Sequence, residues 1–290
     1  MCRLVAIVGP TGIGKSRLAL HLAQVFNGEI VSADSRQVYR YMDIGTAKPE
    51  PAALALVPHH LIDIINPDEN FNLTRYQTLA NQAINNIQQH DRLPFLVGGT
   101  GQYVWALLEG WKAPQVPPDP EFRHDLEEMA AHTGTDALYR QLEKIDPDAA
   151  KNIDPRNVRR VIRAMEVYQK TNIPFSQLKH KEAPLFNTLI IGMTADRTEL
   201  HRRIDQRVDE MVEQGLVAEV KTLLEMGYDF TLPAMSGIGY KQIGMFLRSE
   251  LTLAGATQQI KFESHRFVRR QYTWFRLKDE RIRWFDIQRQ

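Results

Sequence analysis

Apolar runs at residues 4–9, 29–33, 60–65, 94–99 and 189–193 are short and separated by stretches with helical spacing. Runs without strict alternation suit strands covered on both faces, so the pattern predicts an α/β protein with a parallel sheet flanked by helices. Between the fourth and fifth runs the pattern changes. Residues 112–122 hold Pro114, Pro117, Pro118 and Pro120, which block regular structure and mark a boundary. Residues 121–181 then predict helices at 121–131, 136–144, 155–170 and 175–181, with no strand. The expected organisation is a core of residues 1–113 and 183–290 interrupted by an all-helical insertion at 114–182.

Two of these helices carry informative faces. In the one expected to open at Asp154-Pro155, Arg156, Arg159, Arg160 and Arg163 form one stripe. Val158, Val161, Ile162, Met165 and Tyr168 form the opposite face. Four like charges on one stripe repel, and answer either an acidic partner such as a phosphate backbone or plain solvent. A later helix starts at the capping-box-like Asp196…Glu199, runs through Glu213 and stops at Gly215. Arg207 lies beside its apolar face, either on the surface or toward a crevice.

Composition narrows the class. A chain of 290 residues, 43% hydrophobic and 24% charged, with net charge +1, reads as an ordinary globular protein. A single cysteine excludes an internal disulfide, no apolar run is long enough to span a bilayer, and Met1-Cys2-Arg3 leads directly into the first strand. A cytoplasmic location is expected. Charge is uneven, however: residues 261–285 carry eight basic residues against three acidic ones, interleaved with seven aromatics. That mixture fits a surface that tracks and stacks nucleic acid, or an amphipathic C-terminal helix with a buried aromatic face.

The first strand ends in Gly9-Pro10-Thr11-Gly12-Ile13-Gly14-Lys15-Ser16, a full match to the phosphate-loop pattern. Strand, loop and helix in this order aim backbone N–H groups and a positive helix end at two linked phosphates. Lys15 is positioned to reach the outer phosphate, and the Ser16 hydroxyl to hold Mg²⁺.

The reaction is left open by this motif. Phosphoryl-transfer enzymes commonly place a metal-binding Asp at the end of a later strand. Here the run at 94–97 ends in Gly98-Gly99-Thr100-Gly101, without a carboxylate. The carboxylate appears after the second strand, at Asp34 in Asp34-Ser35-Arg36-Gln37, where the carboxyl ends of neighbouring strands in an open parallel sheet border one crevice. Asp34 is a candidate general base, or else caps the turn that follows it.

Taken together the motifs resemble the tRNA dimethylallyltransferase (tRNA isopentenylpyrophosphate transferase) family of bacteria. The resemblance rests on GPTGIGKS at 9–16, SADSRQVY at 32–39, MDIGTAKP at 42–49, PHHLIDI at 58–64, LVGGTGQY at 96–103, NVRRVIRAMEV at 157–167, RVDEMVEQGLVAEV at 207–220, GIGYKQ at 237–242 and RRQYTWFR at 269–276. It implies a P-loop NTPase-like core and transfer of a dimethylallyl group from dimethylallyl diphosphate to N6 of the adenosine beside the anticodon, position 37, in tRNAs reading codons that begin with U. Diphosphate is released. By resemblance, Asp34 and Thr100 are catalytic, and Thr11, Gly12, Ile13, Gly14, Lys15, Ser16 and Arg207 bind the diphosphate, with Mg²⁺ at Ser16. The tRNA anticodon stem-loop is expected to meet Asp34, Ser35, Arg36, Gln37, Thr100, Arg123, Arg159, Arg160, Arg163, Gly237, Lys241, Arg269, Arg270 and Gln271. A monomer with no membrane association is expected. Two other classes compete, a small-molecule kinase using ATP and an RNA-binding regulator without chemistry; an adenylate isopentenyltransferase is the neighbouring activity.

Overall fold

The computed structural model describes residues 2–112, 114, 116–178, 180–183 and 185–288. Two compact units divide the chain, one of residues Met1–Leu108 and Pro184–Gln290, the other of Glu109–Ala183. Ala113, the expected boundary residue, and Lys179, within the helix expected at 175–181, lie outside the described residues.

The first unit is built on a six-stranded sheet. Its strands are β1 (Cys2–Val8), β2 (Gly28–Ser32), β3 (His59–His60), β4 (Leu93–Gly98), β7 (Phe186–Thr194) and β8 (Ile282–Asp286), in the order β3-β2-β4-β1-β7-β8. Every pairing is parallel. Helices cover both faces, which is why the central strands are apolar on both sides: Leu4, Ala6, Ile7, Val8, Val31 and Leu96 are all buried. Glu29 is the charged exception on β2. It is buried and held by His60 and Arg92.

Two departures from the expected elements have local causes. Of the run at 60–65 only His60 is strand, together with His59 in β3; Leu61 and Asp63 take positive φ, and the Asp63 and Ile64 amides bond back to the carbonyls of Gln37 and Val38. At the other end, the basic-aromatic stretch is not one helix. The Leu253–Trp274 helix stops before buried Phe275, and β8 then shows period-two burial, with Ile282 inside and Arg283 and Phe285 outside.

The second unit contains helices Pro120–Thr133, Thr135–Ile145, Pro147–Lys151, Val158–Thr171 and Phe175–Leu178. Leu126, Leu138, Leu142, Val161, Ile162 and Val167 belong to its core. It is not all-helical: β5 (Trp111–Lys112) and β6 (His180–Lys181) pair antiparallel. Asp154-Pro155 opens a turn rather than the fourth helix. The Asp154 carboxylate accepts the Arg156 N–H, and Asn157 caps the helix that starts at Val158.

Candidate active site

The phosphate loop takes its shape from glycines where no other residue fits. Gly9 has φ +139°, and a Cβ there would lie 2.5 Å from the Met193 carbonyl oxygen. Gly14, at φ +98°, caps the Lys15–Val25 helix without any side chain to occupy the first N–H groups. Those donors point outward beside the exposed Ser16. Ile13 is buried in the core, so only its backbone is available to an anion. The Thr11 N–H departs from expectation: it donates to Gln271 Oε1 at 2.8 Å.

The turns after β2 and β4 are stitched to each other. The Thr100 N–H donates to the Ala33 carbonyl at 3.2 Å, and Thr100 Oγ1 accepts the Ser35 N–H at 3.1 Å. Asp34 Oδ1 accepts the Arg36 N–H at 2.8 Å, which fixes its carboxylate in a local turn and leaves the other oxygen for a ligand. Asp34 thus shapes the turn that follows it while also lining the cleft described next.

A cleft of about 490 Å³ is lined by Lys15, Ser16, Asp34, Gly98, Gly99 and Arg207, with Arg203, Gln206 and Gln271 nearby on its walls. Arg207 is therefore a crevice residue and not a surface one. Burial pushes the Lys15 ammonium down to about 7, Arg207 adds to the shift, and Asp34 opposes it. Burial likewise lowers Arg207 from its ordinary value, against Asp34 and Glu210. Two crowded cations next to one carboxylate make a site that favours an anion. A second cleft of about 510 Å³ shares Ala47, Lys48, Pro49, Arg207 and Glu210 with the first, and adds the apolar side chains Ile44, Leu54 and Met211.

The loop forming that shared wall is held by residues that no local pattern points out. Glu219 accepts the N–H groups of Asp43, Ile44 and Gly45 at 2.8, 2.7 and 3.0 Å, and the Tyr240 hydroxyl at 2.7 Å. Gly45 is required there, since a Cβ would sit 2.6 Å from the Tyr240 ring. Lys48 anchors the other end of the loop on Asp43 and Asp63. The signal for Glu219 was a carboxylate inside the VAEV segment, uninterpretable until the chain brings positions 43–45 to it.

Of the residues expected to meet RNA, Arg269, Arg270 and Lys241 are exposed, Arg269 and Arg270 on the Leu253–Trp274 helix and Lys241 on the Tyr240–Leu247 helix. Gly237 is buried in the turn before the second of these helices. Arg36 donates to the carbonyls of Pro233 and Ala234, at 2.8 and 3.2 Å, and so supports that same turn. Gln37 is tied inward: Oε1 accepts from Ser32 Oγ, and Nε2 donates to the Ala47 carbonyl at 3.2 Å. Gln271 is buried too, which corrects its expected place on an RNA-facing surface; both sides of its amide are occupied by protein.

In the second unit the expected stripe of four free arginines is corrected. Buried Glu166 accepts from Arg123 at 2.7 and 2.8 Å, from Arg163 at 2.5 Å and from the Asp119 N–H at 2.8 Å. Burial raises this carboxyl, but these donors outweigh burial and hold it below the usual range. Arg163 also donates to the Val116 carbonyl, and Arg156 folds onto Asp154. Arg159 and Arg160 are exposed and form no ion pair among the described residues. A glutamate on the apolar side of the helix draws Arg163 out of the stripe, while Arg159 and Arg160 keep their place in it.

Comparisons with known proteins agree on one family. Residues 37–278 match the family model described as IPP transferase, and residues 2–64 match that described as isopentenyl transferase. A tRNA dimethylallyltransferase of Roseiflexus sp. (strain RS-1) is 53% identical over 95% of this chain and 90% of its own. One from Dehalococcoides mccartyi is 51% identical over 98% and 88%. Among solved structures, the full-length tRNA isopentenylpyrophosphate transferase of Bacillus halodurans superposes with TM-score 0.73 at 44% identity, covering 99% of this chain and 90% of its own. A eukaryotic dimethylallyltransferase acting on tRNA superposes with TM-score 0.83 at 28% identity, covering 99% and 74%.

Proposed function

The chain belongs to the IPP transferase family of tRNA dimethylallyltransferases, and from that premise we propose that it transfers a dimethylallyl group from dimethylallyl diphosphate to N6 of the adenosine beside the anticodon of tRNA, releasing diphosphate. The observation that supports this most directly is the pairing of Lys15 and Arg207 opposite Asp34 in one cleft. As the allylic C–O bond breaks, negative charge grows on the departing diphosphate. Lys15, Arg207 and the loop N–H groups offset that charge before it forms, which favours the transition state over the ground state. The carbon end finds apolar neighbours in Ile44, Leu54 and Met211 of the adjoining cleft.

The target adenine must leave the anticodon-loop stack, at a cost of about a few kcal/mol, before its N6 reaches the allylic carbon. Asp34 is the group suited to take the N6 proton, since the Arg36 N–H already fixes its orientation. Thr100, bonded to the Ser35 amide, supports the neighbouring turn with its hydroxyl near the reacting region. Exposed Arg159, Arg160, Lys241, Arg269 and Arg270 supply cations for the RNA backbone.

Magnesium fits the donors present. Ser16 offers an exposed hydroxyl in the same cleft as Asp34, and Mg²⁺ characteristically takes one or two protein oxygens and completes its shell with phosphate and water. Bound at Ser16 it would add positive charge against the leaving diphosphate. A tRNA substrate agrees with a cytoplasmic location, and no helix among the described residues is long and apolar enough to cross a membrane.

Radiolabelled dimethylallyl diphosphate incubated with the protein and an anticodon stem-loop RNA should label the RNA, while AMP remains unlabelled. Transfer of the γ-phosphate of ATP to any acceptor, with no prenylated RNA, would overturn the reading in favour of a kinase.

A further inference from the structure

Gln271 stands on the last turn of the Leu253–Trp274 helix and is 3% exposed. Its Oε1 accepts the Thr11 N–H at 2.8 Å, and its Nε2 donates to the Gly99 carbonyl at 3.0 Å. Those partners belong to the loops after β1 and β4, which leave neighbouring parallel strands and both line the cleft. A Cβ at Gly99 would lie 2.1 Å from Nε2, so the bare glycine is what lets the amide in. The demand is for an acceptor on one side and a donor on the other, which a carboxylate cannot meet while ionised. Arg269 and Arg270, immediately before it, are exposed. One turn of helix thus presents two cations outward and one amide inward.

We propose that Gln271 is a positioning residue that sets the spacing between the phosphate loop and the Gly98–Gly101 turn, and not an RNA contact. Thr100 of that turn bonds Ser35, next to Asp34, so the brace also fixes the carboxylate relative to the diphosphate. Reacting groups on separate loops gain rate from such fixed spacing, and lose it when the support relaxes. The turnover arm of this inference rests on the transferase reading above.

The test is Gln271→Glu, which keeps the size of the side chain. Ionised, it sets an oxygen against the Gly99 carbonyl; protonated, its C=O accepts from Thr11 and its O–H donates to Gly99, restoring the native pattern. Burial favours the protonated form, as do Asp34 and Glu210 on the same cleft, while Lys15, Arg203 and Arg207 oppose it. The expected result is a kcat deficit against wild type of about 30-fold at pH 8.5 that narrows to about threefold at pH 5.5, with tRNA Kd unchanged at both. Taking the ratio to wild type cancels titration of groups common to both proteins. Inorganic pyrophosphate affinity, measured by calorimetry, should weaken and recover over the same pH range. Gln271→Met, which lacks both bonds, should show a deficit that does not change with pH. If wild type prenylates no RNA, the transferase reading fails while the pyrophosphate arm still decides the brace. A Gln271→Glu deficit flat in pH, a loss of tRNA affinity at normal kcat, or a lowered Tm with kcat and pyrophosphate affinity intact would each overturn it.

Discussion

Arg207 helps to strip the proton from Lys15. The lysine is already lowered to about 7 chiefly by burial, and the guanidinium on the Arg197–Glu213 helix adds to that shift from across the cleft. Ligand-free, Lys15 is therefore close to half-protonated at neutral pH.

A diphosphate must reverse this. Binding returns Lys15 toward its ordinary basicity, so pyrophosphate should bind with proton uptake at and above pH 7, and its affinity should weaken as pH rises from about 7 to 9. Calorimetry in buffers of different ionisation enthalpy reads the proton count directly. Lys15→Met should bind more weakly and with little pH dependence between these limits. For folding the sign is opposite: the folded pKa lies below the unfolded one, so ligand-free stability contributed by this group rises with pH from about 7 toward 10.

Asp34→Asn retains an oxygen for the Arg36 amide and removes only the basicity. Turnover should fall by about 10²-fold or more, with tRNA and pyrophosphate affinities within a few-fold of wild type. Single-turnover kinetics at saturating RNA separates the two effects, and near-normal turnover would remove Asp34 from its role.

In the second unit, arginines of one helix should divide by function. Arg163→Ala leaves buried Glu166 with Arg123 as its remaining cation and should cost about 3 kcal/mol of stability in denaturant titration. Arg159→Ala with Arg160→Ala should leave stability within about 0.5 kcal/mol for each change. That double variant should bind tRNA more weakly and flatten the log–log salt dependence by about one unit per lost phosphate contact. An unaltered slope would mean that these two side chains only face solvent.

Glu219→Gln tests the loop at 43–49. A neutral amide has one acceptor for four donors and sets its own N–H groups against them, so stability should drop by about 2 kcal/mol and the loop should exchange its amide hydrogens faster. Hydrogen exchange at Asp43–Gly45 measures this locally. Unchanged protection there would show that the backbone holds the loop without the carboxylate.

The sheet and the phosphate loop were legible in the sequence because their signals are local: buried runs, and glycines at positive φ beside a helix start. Asp34 could be placed by topology alone. What escaped is carried by partners far apart in the chain. Resemblance alone assigns Gln271 to the RNA, within the stretch 269–276, and only the fold reveals Thr11 and Gly99 on either side of it. Arg163 was counted in a stripe that Glu166, one turn on, dismantles. β8 was hidden because five alternating residues after a long helix resemble its frayed end.

The strand order also bears on the history of each molecule as it is made. β1 lies between β4 and β7, so the strand that ends in the phosphate loop leaves the ribosome long before either neighbour exists, and its outer flank waits for residues 186–194. Gln271 arrives later still. The nascent chain must therefore carry an apolar strand and an unsupported anion loop through most of its synthesis, and closure depends on contacts of long sequence separation, which form slowly. A chain stalled before residue 186 would expose one whole side of β1, ready to pair with another unfinished copy.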